Sequence, residues 1–125
     1  MSFGYLSHYK GTDLLVKAFH KPLKINGKKV KLILAGGESP TQGQKYHYQH
    51  FYKNLYQSIS DNENIIHTGF VPQEKIKHVF SSSDLVIFPY RAFMSASGPI
   101  SLALSFNKPI IVSNQLENYS TISLS

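Results

Sequence analysis

The sequence predicts an α/β protein, a parallel sheet with helices on both of its faces. Short β-rich runs alternate with amphipathic helical stretches along the whole chain, the pattern that strand–helix–strand crossovers produce. Two of the runs, Val86-Ile87-Phe88 and Ile110-Ile111-Val112, carry no polar residue, as strands covered on both faces require. With 125 residues and 14.1 kDa, the chain suits one domain burying roughly two-thirds of its unfolded surface.

The elements follow in order. A first strand is expected near Phe3 to Leu6. Thr12 to Phe19 reads as a helix, because Leu14, Leu15, Ala18 and Phe19 recur at helical spacing. Lys21, Lys24, Lys28 and Lys29 flank a turn at Asn26-Gly27 and read as solvated surface. Val30 to Ala35 is a strand stopped by Gly36-Gly37, and the turn-rich segment Gly36 to Gln44 is a loop. From Tyr46 to Ile59 the residues Tyr48, Phe51, Tyr52, Leu55, Tyr56 and Ile59 fall on one helical face. Such a tyrosine stripe reads as core packing rather than as a platform for bases. Ile65 to Thr68 is a strand, Gly69 to Pro72 a turn, and Gln73 to Phe80 a short helix with Pro72 at its start. Asp84 to Pro89 is a buried strand, Pro99 to Phe106 a helix, and Pro109 to Ser113 a last strand.

Composition narrows the classes. Hydrophobic residues make up 42% and aromatics 13%, too much apolar surface for a disordered chain. No apolar run approaches the ~20 residues of a membrane span, and Met1-Ser2-Phe3-Gly4 does not open a secretory leader. There is no cysteine, which removes disulfides, zinc–thiolate sites and thiol nucleophiles and suits a reducing, cytoplasmic setting. The net charge is +6, lysines crowd between Lys10 and Lys31, and Arg91 is the only arginine. The charges are not interleaved with aromatics on a recognisable module, so nucleic acid is not expected as a partner.

In parallel sheets ligands sit beyond the carboxyl ends of the strands. Two of the loops there suit phosphate. Lys10-Gly11 opens a helix, setting a cationic point charge beside free backbone N–H groups. The loop from Tyr90 to Pro99 follows a buried strand with Arg91, then runs through Ser95-Ala96-Ser97-Gly98-Pro99 into a helix. Small side chains let a ligand approach the backbone, and Arg91 at a strand's carboxyl end costs stability if buried and unpaired, which points to an anionic partner. No carboxylate pair stands out for acid–base work. His47 and His50 share a helix face without a third ligand, so no metal site is expected, and His8 alone among the histidines lies in an informative loop.

Taken in order, these residues resemble the carboxyl-terminal, donor-binding half of a family 4 glycosyltransferase of GT-B architecture. Phe3-Gly4-Tyr5-Leu6-Ser7-His8-Tyr9-Lys10-Gly11, with Asp13-Leu14-Leu15 and Ala18-Phe19 behind it, is similar to that family's opening strand and Lys-Gly helix. Leu32-Ile33-Leu34-Ala35-Gly36-Gly37-Glu38 is similar to its second strand and turn. Thr68-Gly69-Phe70-Val71-Pro72 with Glu74, and Ser83-Asp84-Leu85-Val86-Ile87-Phe88-Pro89-Tyr90-Arg91, resemble the next two signatures. Ser97-Gly98, Ala103 and Lys108-Pro109-Ile110-Ile111 match a branch whose motif runs Tyr-Arg, Ser-Gly, Lys-Pro.

The resemblance implies a Rossmann-like domain, half of a GT-B fold, spanning residues 1–125, with the amino-terminal acceptor domain absent from the chain. It implies retaining transfer of a sugar from a nucleotide-diphosphate donor to an unknown acceptor, with no cofactor and no metal. Lys10 would contact the donor diphosphate, with Arg91, Ser97, Gly98 and Pro99 beside it. Gly36, Phe70 and Val71 would lie near the nucleobase. The setting would be the cytoplasm, with the full-length enzyme able to associate peripherally with the inner face of the membrane. The sequence departs from the family at three places. Tyr5 stands where many members have arginine, and Met94 and Leu102 replace a pair of glutamates, the second of which usually holds the ribose. Those replacements favour an alternative: a non-catalytic nucleotide- or phosphate-binding module, or a degenerate remnant.

Overall fold

A computed structural model describes residues 1–40, 46–92 and 98–113, and of His47 the backbone alone. The strands are β1 (Ser2–Phe3), β2 (Leu23–Ile25), β3 (Lys28–Val30), β4 (Leu32–Ala35), β5 (Ile65–Gly69), β6 (Val86–Phe88) and β7 (Ile110–Val112). The helices are α1 (Thr12–Ala18), α2 (Tyr46–Ser60), α3 (Ile76–Ser81) and α4 (Gly98–Ser105).

β1, β4 and β5 pair in parallel with β4 between the other two, and β6 pairs in parallel with β7. Backbone bonds stitch the two sets together. Ile87 N–H donates to Met1 O at 2.9 Å, and the Met1 nitrogen donates to Leu85 O at 2.8 Å. The spatial order is therefore β5-β4-β1-β6-β7. Its direction reverses between β1 and β6, where crossovers leave in opposite directions and a crevice opens at the strands' carboxyl ends.

Two apolar layers sandwich the sheet, and the pleat of β4 assigns them. Leu32 and Leu34 join Leu15, Val16 and Phe19 of the α1 segment and Tyr52, Leu55 and Ile59 of α2. Ala35 joins the other layer with Phe80 of α3, Ile100 and Ala103 of α4, and Val86 and Phe88 of β6. Alternate side chains of a strand point to opposite faces, so a short run serves both layers. The tyrosine stripe of α2 is core, as its spacing predicts. Tyr52 is fully buried, and its hydroxyl donates to Leu6 O at 2.7 Å while accepting from Ser39 N–H at 3.2 Å.

Several boundaries differ from the sequence reading, and the buried strand expected over Asp84 to Pro89 is confined to Val86–Phe88. The first strand covers only Ser2–Phe3, because the chain bends at Gly4, and Leu6 retains a single bridge to Glu38. The run from Val30 to Ala35 divides at Lys31, where the chain leaves its antiparallel partner β2 and enters the parallel sheet. The lysine-rich turn at Asn26-Gly27 is the tip of a regular hairpin, β2–β3. Both tip residues have positive φ, 53° and 78°, as a tight two-residue connection demands. Gln73–Lys75 is a 3-10 turn that precedes α3 rather than its first turn. Within α1, Leu14 faces solvent, and the inward face is Leu15 and Val16.

Candidate functional site

A cleft of about 260 Å³ opens at the carboxyl ends of β1, β4 and β5. Gly4 and Tyr5 follow β1, Gly36 and Gly37 follow β4, Phe70 and Val71 follow β5, and Lys10 and Pro99 close the sides. A larger hollow of about 400 Å³ lies between α1 and α2, but only helix-segment side chains line it. Loop backbone at strand ends is the better setting for a ligand in this topology, so the cleft is the candidate.

Its floor depends on close backbone approach. A Cβ built on Gly36 would lie 1.9 Å from Gly4 O, so the chains leaving β1 and β4 touch with no room for a side chain. His67 locks the same turn: its Nε2 lies 3.0 Å from Gly36 O. A carbonyl only accepts, so Nε2 carries the proton. The ring packs on Tyr56 with 5.5 Å between centroids. No sequence signal distinguished His67, whose partner is a backbone atom on another strand.

Lys10 is the cleft's cation. Gly11 places it, with φ of 74° and a Cβ position only 2.1 Å from Pro89 O. The loop before α1 is thereby pressed against the end of β6. The Lys10 Nζ sits 5.9 Å from the Tyr5 ring centre and 5.8 Å from that of Tyr9, within cation–π range. Among the described residues no carboxylate or other acceptor meets it. Burial pushes its pKa down from the ordinary lysine value, because a desolvated ammonium lacks compensation. An anion entering the cleft would supply it. Tyr5, at the position where the resembled family often has arginine, contributes a ring face beside that ammonium instead of a second charge.

Phe70 stands on the rim with 72% of its surface exposed, and Val71 packs against the sheet core. Pro99, in the first turn of α4, lines the cleft opposite Gly4. Gly98 is exposed and has open space where a Cβ would project. Ser97, expected beside the diphosphate, and Met94 lie outside the described residues.

Arg91 is not brought into the cleft. Its guanidinium makes a bidentate pair with Asp13, at 2.6 and 2.9 Å, and donates to His8 O at 2.7 Å. The anionic partner expected of a strand-end arginine is met internally by Asp13. Arg91 N–H also donates to Tyr9 O at 2.7 Å, so Arg91 fastens the loop carrying Lys10 from both sides. His8 is exposed and sits edge-on to Phe51, with 6.0 Å between centroids, away from the cleft lining.

Burial pushes the Asp13 carboxyl up, but the Arg91 hydrogen bond and charge outweigh it and hold the pKa below the usual carboxylate value. A depressed folded-state pKa stabilises the fold above the unfolded-state value, and that share is lost as pH falls through the folded one. Asp13→Asn is therefore expected to lose about 1 kcal/mol at neutral pH, the upper end for a partly exposed pair. The difference from the parent should close on acidification. Urea melts at neutral and acidic pH check this, and a pH-independent difference would assign the loss to packing.

The parallel β5-β4-β1-β6-β7 sheet with a cleft holding Lys10 at its carboxyl ends defines an open, doubly wound α/β domain. The sequence matches the family described as Glycosyl transferases group 1 over residues 1–123, and the chain belongs to that family. Three crystal structures of Anabaena Alr3699/HepE are similar in fold: in complex with UDP (TM-score 0.68), with UDP-glucose (0.70), and with UDP and glucose (0.69). Identity is 23% in each case, over 90% of this chain and 28–29% of the matched one. The chain thus spans less than a third of the length of these structures. No curated protein matches by sequence.

Proposed function

We propose that these residues form the donor-binding half of a retaining, family 4 type glycosyltransferase, which takes a sugar from a nucleotide-diphosphate donor in the cytoplasm. One observation carries the reading: a partly desolvated ammonium, Lys10, that meets no acceptor among the described residues, in a cleft at the strand ends. The family match and the UDP and UDP-glucose held by the Anabaena protein support it. As the glycosidic bond breaks, negative charge grows on the diphosphate. A fixed cation in a largely apolar cleft offsets that charge more strongly than it would in water. Lys10 takes this role, with Gly98 and Pro99 at the start of α4 meeting the phosphates. Gly36, Phe70 and Val71 border the base. The acceptor belongs to a separate domain, and no metal is required for the step assigned to Lys10.

The test is a thermal-shift panel of UDP, GDP, ADP and their sugar conjugates on the folded chain. Binding raises the melting temperature with the logarithm of ligand over dissociation constant. No rise with any diphosphate would remove the reading. Affinity should also fall as pH rises through the lowered Lys10 value, because deprotonation removes the charge. Calorimetry of UDP across the alkaline range checks this, and Lys10→Ala should abolish the dependence.

Gly98→Val offers a further check. A Cβ at this position meets nothing within 4 Å, so the fold should be retained while phosphate approach to the α4 start is blocked. Binding equal to that of the parent would remove α4 from the site.

A second reading has its own support. Leu102, where the resembled family has a ribose-holding glutamate, packs against the sheet core and offers no hydrogen bond to a sugar. A nucleotide-binding module without transferase activity fits that substitution. Sugar transfer by the full-length protein separates the two.

A further inference from the structure

From the β2–β3 hairpin we infer that this chain carries a contact surface for an anionic lipid bilayer. The inference is independent of what the cleft binds. Residues 21–31 hold five lysines (Lys21, Lys24, Lys28, Lys29 and Lys31) and no acidic or aromatic residue. All five are exposed, and among the described residues none has a carboxylate within ion-pair distance. Asp61 and Glu63, in the turn that leads to β5, are exposed and leave these lysines unpaired.

The register sharpens the point. Lys24 lies directly opposite Lys29, while Leu23 faces Val30 and Ile25 faces Lys28. Like charges across an antiparallel pair repel, and nothing in the described fold relieves them. On the other face Leu23 and Ile25 are 43% and 59% exposed, two branched aliphatic side chains along one strand of a charged ribbon. The Asn26-Gly27 turn fixes the register, so Lys28 lies on the face of Leu23 and Ile25, while Lys24 and Lys29 flank that face from the other side of the ribbon.

A bilayer interface satisfies both groups at once. Leu23 and Ile25 enter the headgroup–acyl boundary, and the lysines extend their ammonium groups to lipid phosphates. Nucleic acid would use the charge alone. It would leave the aliphatics in water, and the hairpin has neither aromatic rings nor arginine for its bases. Location is consistent with a separate role. The hairpin runs into the amino end of β4, and the cleft lies beyond its carboxyl end, so a docked membrane leaves the cleft open.

Sedimentation of the full 125-residue chain with lipid vesicles tests this. Binding is expected to vesicles of phosphatidylcholine with phosphatidylglycerol, not to phosphatidylcholine alone, and to be released by salt. Each lysine near an anionic surface is worth about fivefold in partitioning, so the Lys24→Glu, Lys29→Glu double variant should bind at least ~25-fold more weakly. Leu23→Ser with Ile25→Ser should weaken binding while leaving its salt dependence in place. Equal binding to neutral vesicles, or unchanged binding by the lysine variant, overturns the proposal. So does tighter capture by duplex DNA or RNA at the same salt. Should either variant fail to fold by circular dichroism, lipid composition and salt release decide it on the parent chain.

Discussion

Gly36→Ala is expected to destabilise the protein by about 2–4 kcal/mol, the sum of a steric conflict and local backbone strain. The added methyl would lie 1.9 Å from Gly4 O and 2.7 Å from Gly4 C. Both are backbone atoms, so no side-chain rotation relieves the contact. The chain end of β1 must move away from β4, which strains the bond from Gly4 N–H to Ala35 O, 3.0 Å in length. Urea denaturation should show a lower midpoint with an unchanged slope. Gly98→Ala is the control, since a Cβ there meets nothing within 4 Å, and it should stay close to the parent. Equal stability of the Gly36 variant would mean that the β1 and β4 ends do not touch as described.

Lys10→Ala is expected to weaken nucleoside diphosphate binding by about 1–3 kcal/mol, the usual loss for a charge-assisted contact. Its effect on the fold should be small and of opposite sign to that of Gly36→Ala. The ammonium is partly desolvated and unpaired among the described residues, so its removal deletes a cost rather than a bond. Isothermal calorimetry with UDP and urea melts on the same variant separate the two effects. Lys24→Ala, on the distant hairpin, should leave UDP binding unchanged. Unchanged affinity in Lys10→Ala would return this lysine to the solvated surface.

The α/β layout was legible in the sequence because each helix and core strand buries a face that its own residues define. The period of α2 and the uninterrupted apolar runs of β6 and β7 required no knowledge of neighbours. What depended on distant partners was not legible. Arg91 called for an anion, but Asp13 lies 78 positions away and carries no local mark as its partner. Gly36 read as a residue beside a ligand, whereas its first necessity is the carbonyl of Gly4 from another strand. The hairpin was half visible. Asn26-Gly27 announced the turn, but its flanks alternate lysine with aliphatics that bury little, so burial periodicity could not mark them as strands. The cleft itself was readable at Lys10, Phe70, Val71 and Pro99, because strand ends collect the loops. Tyr5 was noted only as a departure, since a ring beside an ammonium leaves no spacing signature.

The seam at β1 also bears on how fast the chain reaches this state. β4 and β5 are neighbours in the sheet with a single helical crossover between them. The bond from Met1 to Leu85, by contrast, joins positions 84 apart. Closing so long a loop costs entropy before any burial compensates. The central strand is also only Ser2–Phe3, so few contacts reward that closure. Assembly around β1 is therefore the slow event, and substitutions at Phe3 or Phe88 should change the refolding rate more than equally destabilising ones in α2.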